Sequence, residues 1–162
     1  LESVLRRRPA DWRWSVEVRH PALFDGGART ALERLLTRYG TERVLMDTRP
    51  LFATPPVTDA GREEWEQKPR LPALDLALTD RPIVRCIGND DRAVTAAGLE
   101  RWQPVAAAWL REGRSPTCFV HTPTNLDTPA FALAFHAAVS ALVPGLAPLP
   151  QPEPPPRPDT LF

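Results

Sequence analysis

The sequence lacks the features that define several protein classes. It holds two cysteines in 162 residues, too few for the disulfide framework of a small secreted domain, and this usage is typical of a reducing compartment. Its 20 Lys and Arg balance 20 Asp and Glu, so the net charge is zero and no overall positive field attracts nucleic acid or an anionic membrane. We therefore expect a cytoplasmic protein that does not bind nucleic acid directly.

No hydrophobic run is long enough to cross a membrane. The most apolar stretch, residues 131–143, includes His136 and Ser140 and falls well short of the roughly 20 apolar residues that a spanning helix needs. Hydrophobic residues nevertheless make up 43% of the chain. This composition is sufficient for one domain with a substantial core.

Proline is the residue in excess, and its distribution divides the chain. Eight of the 20 prolines lie between Pro144 and Pro158. We expect residues 1–143 to form the folded domain and residues 144–162 to form a disordered, Pro-rich tail. The tail ends in Asp159, Thr160, Leu161 and Phe162, which resemble the end of peptides that bind bacterial sliding clamps. A protein partner docking on this tail is therefore one hypothesis.

Four short β-like runs alternate with amphipathic stretches. The runs cover residues 14–19, 44–49, 83–88 and 117–122, and apolar residues at helical spacing follow the first, third and fourth. A short helix from Thr58 to about Gln67 interrupts the long connection 50–82. This alternation predicts an α/β fold with parallel strands. Four units are half of a TIM-type (β/α)8 barrel, which needs about 250 residues when complete.

Each run has one apolar face and a second face with a charged or titratable residue near its C-terminal end. The residues on the second faces are Glu17 and Arg19, Asp47 and Arg49, Arg85, and His121. Because ligands bind at the C-terminal strand ends of barrels and open α/β sheets, we expect these faces to coincide in a polar pocket. The alternative is a set of structural ion pairs.

Five short motifs occur in the same order as in a known family. They are Glu17-Val18-Arg19-His20, Met46-Asp47-Thr48-Arg49, Lys68-Pro69-Arg70-Leu71-Pro72, Val84-Arg85-Cys86-Ile87-Gly88 and Phe119-Val120-His121-Thr122-Pro123-Thr124-Asn125-Leu126. Over about residues 12 to 143 the chain resembles the C-terminal half of the YecE-like family, domain of unknown function 72. The resemblance implies that the chain folds as half of a (β/α) barrel. The biochemical function of this family is not established.

Glu17, Asp47 and His121 are the candidate catalytic residues. A carboxylate beside an arginine stays ionised, which suits electrostatic stabilisation or acceptance of a sugar hydroxyl. An imidazole changes charge near neutral pH, so His121 is the candidate acid or base. The same three residues are an alternative site for a divalent metal, although the neighbouring arginines would repel a cation.

The candidate ligand-binding residues are Arg19, Arg49, Arg85, Asn89 and Asn125. Guanidinium groups match carboxylate and phosphate, and the two asparagines mark loops whose backbone N–H groups can join them. We therefore expect a small anionic or sugar-like ligand and no cofactor. The residues do not identify a reaction, and they do not decide whether the protein is an enzyme. The alternative is a non-catalytic adaptor that acts through its tail.

Half of a barrel leaves two strand edges and an interior uncovered. We therefore expect the chain by itself to dimerise or to be partly folded.

Overall fold

Four parallel strands form one sheet in the order β1-β2-β3-β4. A computed structural model describes residues 1–9 and 11–150. The strands are β1 Ser15–Glu17, β2 Glu42–Asp47, β3 Ile83–Ile87 and β4 Thr117–His121. The helices are α1 Glu2–Arg7, α2 Gly26–Arg38, α3 Asp59–Gln67, α4 Arg92–Glu100, α5 Trp102–Arg111 and α6 Thr128–Leu142, with a 3-10 turn at Pro21–Leu23. The predicted α/β class and the parallel strands are confirmed.

The register of the strands decides which side chains share a face. Glu17 is level with Val44, and Met46 is level with Arg85. Ile87 is in turn level with His121. Residues that are level in a parallel sheet point to the same side, and the residues between them point to the other.

Helices α2, α5 and α6 pack on what we call the helix face of the sheet. There Leu45, Val84 and Cys86 form a buried cluster with Trp102 of α5 and Phe135 of α6. Cys118 is partly buried against the same cluster, and burial raises the pKa of its thiol to about 12. Arg43, also on this face, donates to the carbonyl oxygen of Leu23 beside α2.

The other side, which we call the opposite face, is only partly covered. Phe119 is 55% exposed, whereas Met46 and Ile87 are buried in a cluster with Leu51 and Leu71 of the connection between β2 and β3. The connection therefore covers the C-terminal part of this face and leaves the rest of it open.

The connection between β2 and β3 is fixed to the end of β3. Thr58 caps α3 by accepting a hydrogen bond from the backbone N–H of Gly61, as the sequence predicts. Asp90 accepts hydrogen bonds from the backbone N–H groups of Val57 and Thr58 at 2.8 and 3.1 Å, and another from the Thr58 hydroxyl at 2.6 Å. These bonds hold the start of α3 over the C-terminal strand ends.

Packing continues past the predicted boundary at Val143. Leu146 contacts the apolar cluster between the sheet and α6, and the His136 side chain lies 2.8 Å from the carbonyl oxygen of Ala147. The first residues of the segment that was expected to be tail therefore contact the domain. No helix in residues 1–9 and 11–150 is both long and apolar enough to cross a membrane.

At Gly98 in α4, close packing makes glycine more favourable than alanine. A Cβ atom at Gly98 would overlap the ring of Pro50, whereas one at Gly27 in α2 would meet no atom within 4 Å. We expect Gly98→Ala to lower the free energy of unfolding by about 1–3 kcal/mol, although alanine normally favours a helix. Gly27→Ala is the control and should leave stability unchanged or slightly higher. Chemical denaturation measures both, and equal effects would contradict the packing argument.

Candidate functional site

Five ionisable side chains gather on the opposite face near the C-terminal strand ends. We call them the strand-end cluster: Glu17 of β1, Glu64 of α3, Lys68 just after α3, Arg85 of β3 and His121 of β4. All five are between 11% and 28% exposed, so each is partly removed from water and still reachable.

Glu17 accepts hydrogen bonds from two arginines. Its Oε2 accepts a hydrogen bond from Nη1 of Arg85 at 2.8 Å, and its Oε1 accepts one from Nε of Arg19 at 2.9 Å. Burial by itself raises the pKa of Glu17, but the hydrogen bonds from Arg85 and Arg19 outweigh it and the pKa is lowered. Glu17 is therefore an ionised acceptor that fixes the position of Arg85 on the face.

His121 and Lys68 meet at the carboxylate of Glu64. Its Oε2 lies 3.3 Å from Nε2 of His121 and 2.9 Å from Nζ of Lys68. Burial raises the pKa of Glu64, but the contacts with Lys68 and His121 have the larger effect, so the pKa is lowered overall. Nε2 of His121 and Oε2 of Glu64 are both enclosed and face each other across this 3.3 Å gap. Glu64 thus orients a lysine and an imidazole at the end of β4, the strand next to the one that carries Arg85.

The expectation that all the polar strand residues share one face is wrong for β2. Asp47 is level with Cys86 and points to the helix face, so it does not join Glu17, Arg85 and His121. The reason is the register, because a strand that is offset by one residue presents its other face. Arg49 pairs with Asp47 and likewise does not join Arg85 in the strand-end cluster.

Asp47 is a buried, fully bonded carboxylate. It accepts hydrogen bonds from Nε and Nη2 of Arg49 at 2.8 and 2.5 Å, and from Nε1 of Trp102 at 2.9 Å. Burial raises its pKa, but the bonds from Arg49 and Trp102 lower it more. At this position the alternative interpretation, a structural ion pair, describes the geometry.

The two predicted asparagines organise loops. Asn89 is buried, and its side-chain amide donates to the carbonyl oxygens of Leu51 and Thr54 at 2.9 and 3.0 Å. Asn125, whose φ is 57°, accepts hydrogen bonds from the backbone N–H of Thr122 and from the hydroxyl of Thr128. These contacts fix the shape of the loops at the strand ends, and a role for the asparagines in ligand binding stays a prediction.

The alternative metal site of Glu17, Asp47 and His121 is not assembled. Asp47 lies on the helix face while the other two lie on the opposite face. Across the part of the chain that the structure describes, no three His, Cys, Asp or Glu residues are grouped closely enough to hold a metal ion.

Sequence reasoning did not identify Glu64, and it left Lys68 without a role. Glu64 stands among the acidic residues of α3 with no feature that separates it from Glu63 and Glu66. Its i,i+4 spacing to Lys68 is a usable signal, because such pairs meet on one side of a helix.

The expected contacts of Asp159, Thr160, Leu161 and Phe162 lie outside the described residues.

Comparisons with known proteins agree on one family. The model of the family described as "Protein of unknown function DUF72" matches residues 1–157. The UPF0759 protein YecE of Escherichia coli K12 is 33% identical over 122 residues, which are 75% of this chain and 44% of that protein. YecE of Escherichia coli O157:H7 is 32% identical over the same share of each chain. The chain thus spans about half the length of the curated relatives that it matches.

Solved structures give the same result for the fold. A crystal structure of a DUF72 family protein from Enterococcus faecalis V583 superposes with a TM-score of 0.57 at 10% identity, covering 80% of this chain and 49% of that one. A second crystal structure of that protein gives a TM-score of 0.50 at 9% identity. At this identity the likeness concerns the fold alone.

Proposed function

Because the chain belongs to the DUF72 family, for which no function is established, we propose that its strand-end cluster binds a small anionic or sugar-like molecule. The observation that carries this proposal is that Arg85 and His121 lie on the same partly open face of neighbouring strands, with Lys68 joined to His121 through Glu64.

The members of the cluster divide into two groups. Arg85 and Lys68 supply positive charge and hydrogen-bond donors, of which the guanidinium matches a carboxylate or phosphate best. Glu17 and Glu64 hold these side chains in place and can accept hydrogen bonds from sugar hydroxyls. His121 is the histidine of the cluster, so it is the acid or base if the bound molecule reacts.

We also propose that the four strands are half of a (β/α)8 barrel. In such barrels consecutive parallel strands are neighbours, the helices cover the outside, and the site lies at the C-terminal strand ends. The strand order, the packing of α2, α5 and α6, and the location of the strand-end cluster fit this arrangement. The match to about half the length of a DUF72 structure supports it as well.

Ligand binding is tested by calorimetry after a thermal-shift screen with inorganic phosphate, sugar phosphates, dicarboxylates and neutral sugars. Loss of one charged hydrogen bond costs about 1.5–3 kcal/mol, so we expect Arg85→Ala to weaken binding of the best anion about 10- to 100-fold. His121→Ala should weaken it as well. Both variants should remain folded, because neither side chain is fully buried.

Matched controls separate the site from a general loss of charge. Arg101, which pairs with Asp75 and is 43% exposed, provides Arg101→Ala, and His20, which accepts a hydrogen bond from the backbone N–H of Ala22, provides His20→Ala. Neither control should change the affinity. If no compound stabilises the folded wild type, or if Arg101→Ala weakens binding as much as Arg85→Ala does, the proposed site is wrong.

A further inference from the structure

Arg70 differs from the other arginines that lie over aromatic rings. In residues 1–9 and 11–150 four arginines do so, and three of them also pair with a carboxylate. Those three pairs are Arg38 with Glu2, Arg43 with Glu33 and Arg92 with Asp127. Arg70 is exposed and contacts two rings, and in the described part of the chain it forms no ion pair and donates no hydrogen bond. Its charge and its N–H donors are therefore not used within the domain.

The two rings hold the Arg70 side chain in place. Its guanidinium carbon, Cζ, lies 4.1 Å from the centre of the Phe52 ring and 4.8 Å from that of Trp65. The rings contact each other edge to face, with their centres 4.8 Å apart. An arginine that lies over an aromatic face keeps the edge of its guanidinium available for hydrogen bonds. Because the rings restrict its motion, Arg70 loses less conformational freedom on binding an anion than a free surface arginine does.

The backbone around Arg70 is fixed to the sheet. Thr48, the residue after β2, is buried, and its hydroxyl donates a hydrogen bond to the carbonyl oxygen of Pro69 at 3.0 Å. The same hydroxyl accepts one from the backbone N–H of Leu71 at 3.3 Å. The residues on both sides of Arg70 are therefore tied to the end of β2, so the fold sets the position of the guanidinium.

A depression at the end of β2 brings a second arginine to the same place. Its volume is about 240 Å³, and none of the described residues that line it is acidic. The lining residues are Thr48, Arg49, Phe52, Arg70 and Leu71. Arg49 is 39% exposed, and Asp47 accepts hydrogen bonds from its Nε and Nη2 but not from its Nη1. Because Asp47 balances the charge of Arg49, Arg70 gives the depression a net positive charge.

We propose that Arg70 and Arg49 bind the phosphate group of a small molecule in this depression. The edge of a guanidinium matches the oxygens of a carboxylate or a phosphate. One guanidinium satisfies the two oxygens of a carboxylate, whereas the three terminal oxygens of a phosphate monoester can accept hydrogen bonds from two. Two arginines at one depression therefore favour phosphate. None of the lining residues belongs to the strand-end cluster, so this site is additional to the proposed function and does not depend on it.

The experiment follows the side-chain Nε–H signals of the arginines by NMR while inorganic phosphate is added to the whole chain. Sodium chloride keeps the ionic strength constant, so that screening of the surface charges does not change. We expect the Arg70 signal, which is identified by its absence from the spectrum of Arg70→Lys, to shift and to saturate. A signal that does not move, or that moves without saturating, would overturn the proposal.

Acetate is the probe that tests the class of anion. At the same ionic strength it should bind at least about fivefold more weakly than phosphate, because it engages one guanidinium in place of two. Acetate that binds as tightly as phosphate would contradict the assignment of a phosphate group. The backbone N–H of Leu71 reports the affinity in variants that lack the Arg70 signal.

Substitutions test the two arginines and the rings. Arg70→Ala should weaken phosphate binding about tenfold or more, and Arg49→Lys, which keeps a positive charge beside Asp47, about three- to tenfold. Trp65→Ala should weaken it about two- to fivefold, because Arg70 is then held by one ring only. The control is Arg38→Ala, at an arginine that lies over Tyr39 but pairs with a carboxylate, and it should leave the affinity unchanged.

The outcomes separate this inference from the proposed function. A saturating shift at Arg85 without one at Arg70 would overturn this inference and leave the strand-end cluster intact. A shift at Arg70 without one at Arg85 would support this inference and count against phosphate as the ligand of the cluster. If Arg38→Ala weakens binding as much as Arg70→Ala does, only the overall charge matters and the proposed site is wrong. Circular dichroism melts show whether each variant is folded.

Discussion

Replacing Trp102 with alanine is expected to lower the free energy of unfolding by about 3–5 kcal/mol, a large part of the roughly 5–15 kcal/mol that stabilises a typical domain. Trp102 is 1% exposed, and its ring centroid lies 6.5 Å from that of Trp109. Its removal leaves a cavity beneath α5. It also deprives the buried carboxylate of Asp47 of the indole N–H donor at 2.9 Å.

Two further substitutions separate the cavity from the hydrogen bond. Trp102→Phe keeps most of the apolar volume and removes the N–H, so we expect a loss of about 1–3 kcal/mol from the lost hydrogen bond and the smaller ring. Trp65 is half-buried against Phe52 and Arg70, and Trp65→Ala should cost about 1–2 kcal/mol. The free energy of unfolding of the wild type and of each variant is measured by urea denaturation at one protein concentration. A loss at Trp102→Ala no larger than that at Trp65→Ala would contradict the assignment of Trp102 to the core.

The strands and the main helices could be predicted because their signals are local. Runs of β-branched residues marked β3 and β4, and the spacing of Trp102, Val105, Ala106 and Trp109 marked α5, whose buried face contains three of these four side chains. The N-cap at Thr58 was equally local. These patterns involve residues that are close together along the chain, so the sequence shows them directly.

The membership of the site could be predicted only in part, because it depends on register. Glu17 and Asp47 look alike in the sequence, since each precedes an arginine by two residues. One is level with Val44 on the opposite face, and the other is level with Cys86 on the helix face. A shift of one residue exchanges the faces of a strand, and no local pattern specifies that shift.

Glu64 was missed for a related reason. Its position beside His121 depends on the path of the connection between β2 and β3. That path is set by hydrogen bonds from the start of α3 to Asp90, far along the chain. A contact that requires two distant segments to be placed together cannot be read from the spacing of residues within either one.

Acid is expected to destabilise the protein partly through Asp47. The contacts from Arg49 and Trp102 hold the pKa of Asp47 below its ordinary value of about 3.9 despite its burial. A carboxyl group whose pKa is lower in the folded state contributes stability that is fully present above the unfolded pKa and is lost as the pH falls through the folded pKa. Between pH 7 and pH 5 its contribution should therefore be constant, and it should decrease below about pH 4.

Asp47→Asn removes this titration while keeping the size of the side chain. At pH 7 we expect it to cost about 2–3 kcal/mol, because a charged acceptor of bonds from Arg49 and Trp102 becomes neutral. The difference from wild type should shrink as the pH falls toward 3, because the carboxyl group of Asp47 becomes protonated in the unfolded wild type while it stays ionised in the folded one. Glu17 and Glu64, whose pKa values are also lowered, leave the variant some remaining acid sensitivity.

The measurement is urea denaturation of wild type and Asp47→Asn at intervals between pH 7 and pH 3. Asp59, whose side chain is 97% exposed in its pair with Arg62, provides the control Asp59→Asn, which should run parallel to wild type within about 0.5 kcal/mol. A gap between wild type and Asp47→Asn that stays constant down to pH 3 would mean that the pKa of Asp47 is not lowered in the folded state. A gap that narrows as predicted would place the buried ion pair of Asp47 and Arg49 among the determinants of stability.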